Sequence, residues 1–232
     1  MKKTLGIIGG VGPLATMFIG EMIVRRTKAS KDQEHVHIII DNDTAIPDRT
    51  AYILDPAKPN PIPVLQHDAQ KLAAYGADII CIPCNTAHTF YDKMQEACPV
   101  PILHMIRETA KHAQELGAKR VGILATDGTL AAEVYQQALL EVDIQPILPN
   151  EEVQQQVMSA IYDYVKAGQP VSKELWQPIE EEMLRQQCDL IVLGCTELSI
   201  INKELHLGQR YIDSLLVLAD AAIIACGYEV VL

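Results

Sequence analysis

The chain has 232 residues, 49% of them hydrophobic and 21% charged, with 19 Lys and Arg against 30 Asp and Glu for a net charge of −11. That apolar fraction excludes a disordered chain, and the length suits one large domain or two small ones, each with its own core. The acidic balance excludes a nucleic-acid or anionic-membrane surface, which needs clustered cations, and any anionic ligand must be held by few, individually placed cations.

The first predicted element is a strand at Leu5–Ile8. The opening MKK and the apolar run after it look superficially like a leader peptide, but Gly6, Gly9, Gly10, Gly12 and Pro13 interrupt the run, which reads instead as a buried strand and a tight turn. A helix at Leu14–Thr27 and a strand at Val36–Ile40 follow. The segment 42–63 carries Pro47, Pro56, Pro59, Pro61 and Pro63, so it is expected to be a long functional loop without a helix, with Arg49 shortly after a strand end. Beyond it come a helix at Val64–Tyr75, strands at Ile79–Ile82, Ile102–His104 and Val121–Leu124, a helix at Leu130–Glu141 and a strand at Pro146–Leu148. Helices at Glu151–Lys166 and Lys173–Gln187 and a strand at Leu190–Leu193 complete the series. Strands apolar throughout, alternating with amphipathic helices, predict an α/β fold with parallel sheets covered on both faces and ligands beyond the carboxyl ends of the strands. No apolar run reaches the length of a bilayer span.

The chain also repeats itself. TLGIIGGVGPLAT at 4–16 matches RVGILATDGTLAA at 120–132, with Gly6 on Gly122, Gly12 on Gly128 and Leu14 on Leu130 at an offset of 116. GADIICIPCNTAH at 76–88 matches QCDLIVLGCTELS at 187–199, with Asp78 on Asp189 and Cys84 on Cys195 at an offset of 111. PILHMIRETAKHA at 101–113 pairs with RYIDSLLVLADAA at 210–222. The preserved order of the three matches implies duplication: two similar parallel-sheet α/β half-domains with a boundary near residue 100.

The six cysteines are too sparse for a disulfide framework, so reduced thiols in a cytosol are expected. Each half places one directly after an apolar strand, Cys84 in PCNT and Cys195 in GCTE. A strand end opening into a helix offers unpaired N–H groups and the positive end of the helix dipole, which bind a carboxylate and favour a thiolate. Asn85, Thr86 and Thr196 are capping-type residues beside them. A single strand-end Cys is more often a small core hydrophobe; equivalent positions in both repeats favour function. If the halves are related by a pseudo-twofold axis, Cys84 and Cys195 face each other across the cleft between them, the arrangement that inversion at a carbon requires of two acid/base groups. Cys81, Cys98, Cys188 and Cys226 lack such a partner and read as structural. The Cys81-x-x-Cys84 spacing also fits zinc or a redox pair, but no second CxxC or His pair accompanies it, so no metal is expected.

Gly10-Val11-Gly12-Pro13-Leu14-Ala15 fits the dinucleotide fingerprint G-x-G-x-x-A, with Asp41 ending the next strand, and keeps a nicotinamide-dependent oxidoreductase as a rival. The repeat argues against it, and the preferred reading is a glycine turn whose N–H groups approach a small anion. Arg49 and Lys166 are the candidate anion anchors, although Lys166 also suits a helix C-terminus ahead of Gly168. His88 and His104 lie near these segments, where they could support the site residues from behind, but as single residues they read as structural.

Taken together, IIGGVGPLAT at 7–16, IPDRTAYIL at 46–54, PCNTAH at 83–88, MIRETAK at 105–111, YVKAG at 164–168 and GCTEL at 194–198 resemble the aspartate/glutamate racemase family, in its aspartate racemase branch. The resemblance implies a cytoplasmic, homodimeric, PLP-independent racemase without cofactor or metal that interconverts L- and D-aspartate. Cys84 and Cys195 would form its thiolate/thiol pair in a cleft between half-domains at 1–100 plus 212–232 and 101–211. It implies an α-carboxylate held around Asn85, Thr86 and Thr196, a side-chain carboxylate held by Arg49 and Lys166, and Val11 and Glu197 lining the substrate. It also implies that the half-domains exchange helices, so that the helix after Ser214 packs on the first half. Val11 stands where the branch often has Met. Glutamate racemases carry Asp in the first glycine loop and His after the second Cys-Thr, where Val11 and Glu197 stand here. Some broad-specificity relatives replace one cysteine with Thr, whereas both are present here. A relative acting on glutamate, another dicarboxylate or a hydantoin, and a non-catalytic dicarboxylate binder, are the alternatives within that resemblance.

Overall fold

The computed structural model describes residues 2–231, so the outermost residue at each end of the expected first half-domain lies outside them. The chain forms two compact units, Met1–Met105 with Leu215–Leu232 and Ile106–Ser214.

In the first unit β1 (Leu5–Gly9) leads through a glycine turn into α1 (Pro13–Arg26), then β2 (Ile38–Asn42), α2 (Arg49–Leu54), α3 (Ile62–Ala74), β3 (Ile79–Cys81), a short 3₁₀ turn at Thr86–Phe90 and α4 (Tyr91–Ala97). The strands form a parallel sheet in the order β2-β1-β3. Alternation along them sorts side chains to two faces. Leu5, Ile7, Ile79 and Cys81 pack with Ile19 and Ile23 of α1, while Ile8, Ile80 and Ile82 pack with Leu65, Ala69 and Leu72 of α3.

The second unit takes α5 (Met105–Glu115) from residue 106 onward. It continues with β4 (Arg120–Leu124), α6 (Asp127–Ala131), α7 (Val134–Leu140), β5 (Gln145–Ile147), α8 (Glu151–Ser159) with a π-helical extension at Ala160–Val165, α9 (Lys173–Arg185), β6 (Leu190–Leu193), α10 (Thr196–Leu205) and β7 (Tyr211–Asp213). Its parallel sheet has the order β5-β4-β6-β7. The following helix, α11 (Ser214–Ala225), returns to the first unit, where Leu215, Leu218, Ala222 and Ile223 join Leu5, Ile7, Ile19 and Ile23 in one cluster.

Four local expectations change. A six-residue helix, α2, forms inside the proline-rich segment, because the prolines flank it and the Asp48 side chain caps it by accepting the Ala51 N–H at 2.8 Å. The helix expected at 130–141 is two, broken at Glu133 with φ 56. The strand expected at 102–104 is reduced to a single bridge between Ile80 and Ile102, which ties that segment to the first sheet and moves the unit boundary to 105/106. β7 is an additional short strand, held by Ile191–Tyr211 to Leu193–Asp213 pairing.

All three sequence matches carry the same hydrogen bonds. Asp78 accepts the Thr4 N–H and Asp189 the Arg120 N–H, both at 2.8 Å. The Ala77 N–H donates to Leu72 O at 3.1 Å and the Cys188 N–H to Met183 O at 3.2 Å. The Ile80 and Ile191 N–H groups donate to Pro101 O and Arg210 O, each at 2.9 Å. A Cβ on Gly6 would lie 2.9 Å from Ala77 Cβ, and one on Gly122 would lie 2.9 Å from Met183 Sδ and 3.1 Å from Cys188 Sγ, so a glycine lets helix and strand close together at the same point of each unit. Chance similarity of short motifs does not produce matched bonds in register; two copies of one framework do.

Asp68 on α3 is an unusual component of the first core, being 1% exposed with neither carboxylate oxygen hydrogen-bonded among the described residues. Burial, reinforced by Asp41 and Asp43, pushes its pKa up to about 6. The folded chain therefore holds this proton more tightly than the unfolded chain, whose Asp titrates near 3.8. The associated stability is complete below that value and lost as pH rises through about 6. Asp68→Asn should leave the melting temperature nearly unchanged at pH 4 and raise it at pH 7.5. After allowance for Lys71 and solvent screening, the gain is about 1 kcal/mol, or about 2–4 °C, in paired thermal melts.

Candidate active site

In the first unit Cys84 follows β3 at the mouth of the 3₁₀ turn, 7% exposed and within the same apolar cluster as Val11, Ile46 and Ala87. His88, one turn on, holds this segment. Its Nε2 accepts the Met105 N–H at 3.1 Å, which leaves the proton on Nδ1 to donate to Cys84 O at 2.9 Å. Burial lowers the His88 pKa and the backbone contacts oppose that shift, so the neutral tautomer fits both bonds. His104 lies against both His88 and Tyr91, with ring centroids 5.2 and 4.3 Å away. In the second unit the corresponding link joins Ser199 Oγ to Asp213 Oδ1 at 2.6 Å. Different chemistry thus ties the helix after each cysteine to the last strand segment.

Arg49 opens α2, its Nη1 donating to Ile46 O and Pro47 O at 3.3 and 3.0 Å. These bonds fix the guanidinium, yet Nε is buried without a hydrogen-bond partner among the described residues. A buried donor left in this state favours an acceptor brought by a ligand. Asn85 precedes the 3₁₀ turn without a side-chain capping bond, and Thr86 begins the turn, both buried.

The glycine turn differs from expectation. The Gly10 N–H donates to Thr16 Oγ1 at 3.1 Å, and the space a Cβ would need at Gly10, φ 80, is filled by the Asp43 backbone. Gly10 serves close packing of backbone on backbone instead of an anion. Against the dinucleotide reading, the Gly10 N–H is already taken by Thr16 Oγ1, and Asp41, the acid of that reading, pairs with Lys71 Nζ at 2.6 Å. Val11 is 2% exposed, so its side chain belongs to the core.

In the second unit Cys195 is the residue before α10, also 7% exposed. Its thiol donates to Glu197 Oε2 at 2.9 Å, Thr196 Oγ1 donates to the same oxygen at 3.4 Å, and Glu197 Oε1 pairs with Lys166 Nζ at 3.2 Å. Lys166 reaches this position from the end of the π-helical stretch, where its N–H bonds back to Ile161 O, and its ammonium lies 5.1 Å from the Tyr162 ring centre. Burial, then the Glu197 carboxylate, push the Cys195 thiol well above its usual range, with Lys166 opposing. Burial works against the Lys166 charge, but Glu197, Cys195 and Tyr162 more than offset it and raise its pKa.

Within the second unit the structure therefore joins four residues named from sequence, Cys195, Thr196, Glu197 and Lys166, in one network around the Glu197 carboxylate. It commits both Glu197 oxygens to protein partners. The structural reading of His88 agrees with its clamp on Cys84 O and the Met105 N–H, partners that the sequence does not name. The described residues contain no group of His, Cys, Asp and Glu suited to a metal ion and no helix long and apolar enough to cross a membrane.

The duplicated parallel α/β framework carries one strand-end cysteine per copy, and the model of the Asp/Glu/hydantoin racemase family matches residues 8–222. The chain belongs to that family and is an amino-acid racemase by class. It is 31% identical to the broad specificity amino-acid racemase RacX of Bacillus subtilis (strain 168), covering 94% of this chain and 96% of that protein. The structure of Picrophilus torridus aspartate racemase superposes with a TM-score of 0.85 at 31% identity, covering 99% of this chain and 96% of that one. A Francisella tularensis glutamate racemase shares the fold, with a TM-score of 0.66 at 20% identity over 97% of this chain and 81% of that one.

Proposed function

We propose that this chain interconverts L- and D-aspartate by a 1,1-proton transfer between Cys84 and Cys195, without a cofactor. The observation that carries the reading is the pair of buried cysteines at equivalent positions of two copies of one framework. In the forward step a Cys84 thiolate takes the α-proton from one face of the substrate, and the Cys195 thiol delivers its proton to the opposite face. The product leaves with Cys84 as thiol and Cys195 as thiolate, the pair that the reverse reaction uses. The developing negative charge at the α-carboxylate is met by helix-start N–H groups and the side chains of Asn85, Thr86 and Thr196. Arg49 and Lys166 take the side-chain carboxylate, Arg49 through its unpartnered Nε.

Free thiols at all six cysteines fit a reducing cytosol, and a homodimer is the assembly proposed with it. A second reading, racemisation of a wider set of amino acids, is favoured by the similarity to RacX. Chiral chromatography of aspartate, glutamate, a neutral amino acid and a hydantoin, each incubated with protein and no added cofactor, separates the two. Aspartate turnover well above the others supports the first reading, and comparable rates on neutral amino acids replace it with the second.

A further inference from the structure

The Cys195–Glu197–Lys166 chain does more than shape the second unit. The Cys195 thiol points its proton at a carboxylate, 2.9 Å away and 6% exposed, whose other oxygen is neutralised by an ammonium. Cys84, at the equivalent position of the other copy, is followed by Asn85 and Thr86 and so has a threonine where Glu197 stands. The duplicated framework is therefore electrostatically unequal at its two thiols.

We infer that Glu197 is a positioning residue that sets where the proton of the cysteine pair rests, holding it on Cys195 so that the free enzyme is poised with Cys84 as the base. The inference rests on the two-cysteine reading above. A proton prefers an ordinary thiol to an ordinary carboxylate by about 10⁴, so a thiol beside a Lys-paired carboxylate keeps its proton and donates the hydrogen bond. Ionising Cys195 places a second negative charge against Glu197. Lys166 is the cation that opposes this, and Tyr135, a phenol whose pKa burial raises, stays neutral beside the pair. No net transfer occurs at rest, and proton and charge balance within the turnover described above. The consequence is asymmetry between enantiomers: the one whose α-proton faces Cys84 meets the populated form of the enzyme, while the other must bind a rarer form and shows a higher KM. Because the equilibrium constant of racemisation is one, kcat rises in proportion for that enantiomer.

The first test needs no substrate. In a Cys84→Ala background, the alkylation rate of Cys195 is followed against pH by peptide mass spectrometry, which reads Cys195 apart from Cys81, Cys98, Cys188 and Cys226, whose pKa values burial also raises. Glu197→Gln should lower the Cys195 midpoint by about one pH unit or more, a tenfold change in proton affinity or greater, and Lys166→Met should raise it. A midpoint unmoved or raised in a folded Glu197→Gln protein overturns the inference, and so does a lowered midpoint in Lys166→Met if the first variant does not fold. The second test uses the enzyme with both cysteines: Glu197→Gln should bring the KM values of the two aspartate enantiomers together, and their kcat values with them. Unchanged ratios overturn the inference. Midpoints that shift as expected in a protein that turns over no aspartate keep the Glu197 role and remove the aspartate reading instead.

Discussion

Cys84→Ala should lower aspartate racemisation by about 10³-fold or more while the protein keeps its fold. Removing Sγ takes little volume from a cluster built by Ile8, Leu65, Leu72, Ile80 and Ile82, so the stability cost is small beside the catalytic one. Catalytically the loss is severe because inversion needs a proton acceptor on one face and a donor on the other. With only Cys195 left, an α-proton on its own face can still be removed and returned, but the opposite face has no donor. The diagnostic signature is enantiomer-selective exchange: the single variant should wash solvent hydrogen into one enantiomer of aspartate without inverting it, and Cys195→Ala should do so with the other. Full racemase activity in Cys84→Ala would falsify the two-cysteine account. Calorimetry or circular dichroism on the same samples separates loss of chemistry from loss of structure.

Arg49→Ala should raise the KM for aspartate by about 10–100-fold with a smaller effect on kcat, the value of one charge-assisted contact made in both the ground state and the transition state. Arg49 is held by two loop carbonyls through Nη1, which preorganises the fork before any ligand arrives. Arg49→Lys should recover little, because a lysine cannot hold those carbonyls and present a second donor in the same plane. An exposed cation such as Lys173, at the start of α9, provides the control: removing it should leave KM unchanged. In a protein of net charge −11 this contrast matters, since a dicarboxylate gains nothing from the surface as a whole and depends on individually placed cations. Equal losses in both variants would mean that long-range charge, not Arg49, governs binding.

The duplication was legible in the sequence because it lies in the residues that make contacts. Gly6 and Gly122 occupy matched helix–strand contacts, and Asp78 and Asp189 accept matched backbone N–H groups, so selection for packing leaves the same letters at the same spacing. β7 escapes prediction because its three residues show no periodicity, although the third match, which pairs 101–113 with 210–222, covers them. Other features depend on geometry that no local pattern encodes. α2 is hidden because five prolines dominate 47–63, yet none of them falls inside Arg49–Leu54. Gly10 looks like an anion-binding glycine, and only the three-dimensional position of Asp43 shows what fills the space beside it. Lys166 and Glu197 are 31 positions apart, and their pairing depends on a π-helical turn that replaces the ordinary i→i−4 bond with one from Lys166 N–H to Ile161 O. From sequence both read as substrate contacts, and the ion pair that joins them is what the structure adds.

The central claim, proton transfer at the α-carbon between two thiols, is tested most directly by incubating L-aspartate with the wild-type protein in D₂O, without added cofactor, and analysing both enantiomers at low conversion. The account predicts D-aspartate carrying one deuterium at Cα while the remaining L-aspartate is largely unlabelled. D-aspartate that retains its original hydrogen, or no D-aspartate at all, would contradict it.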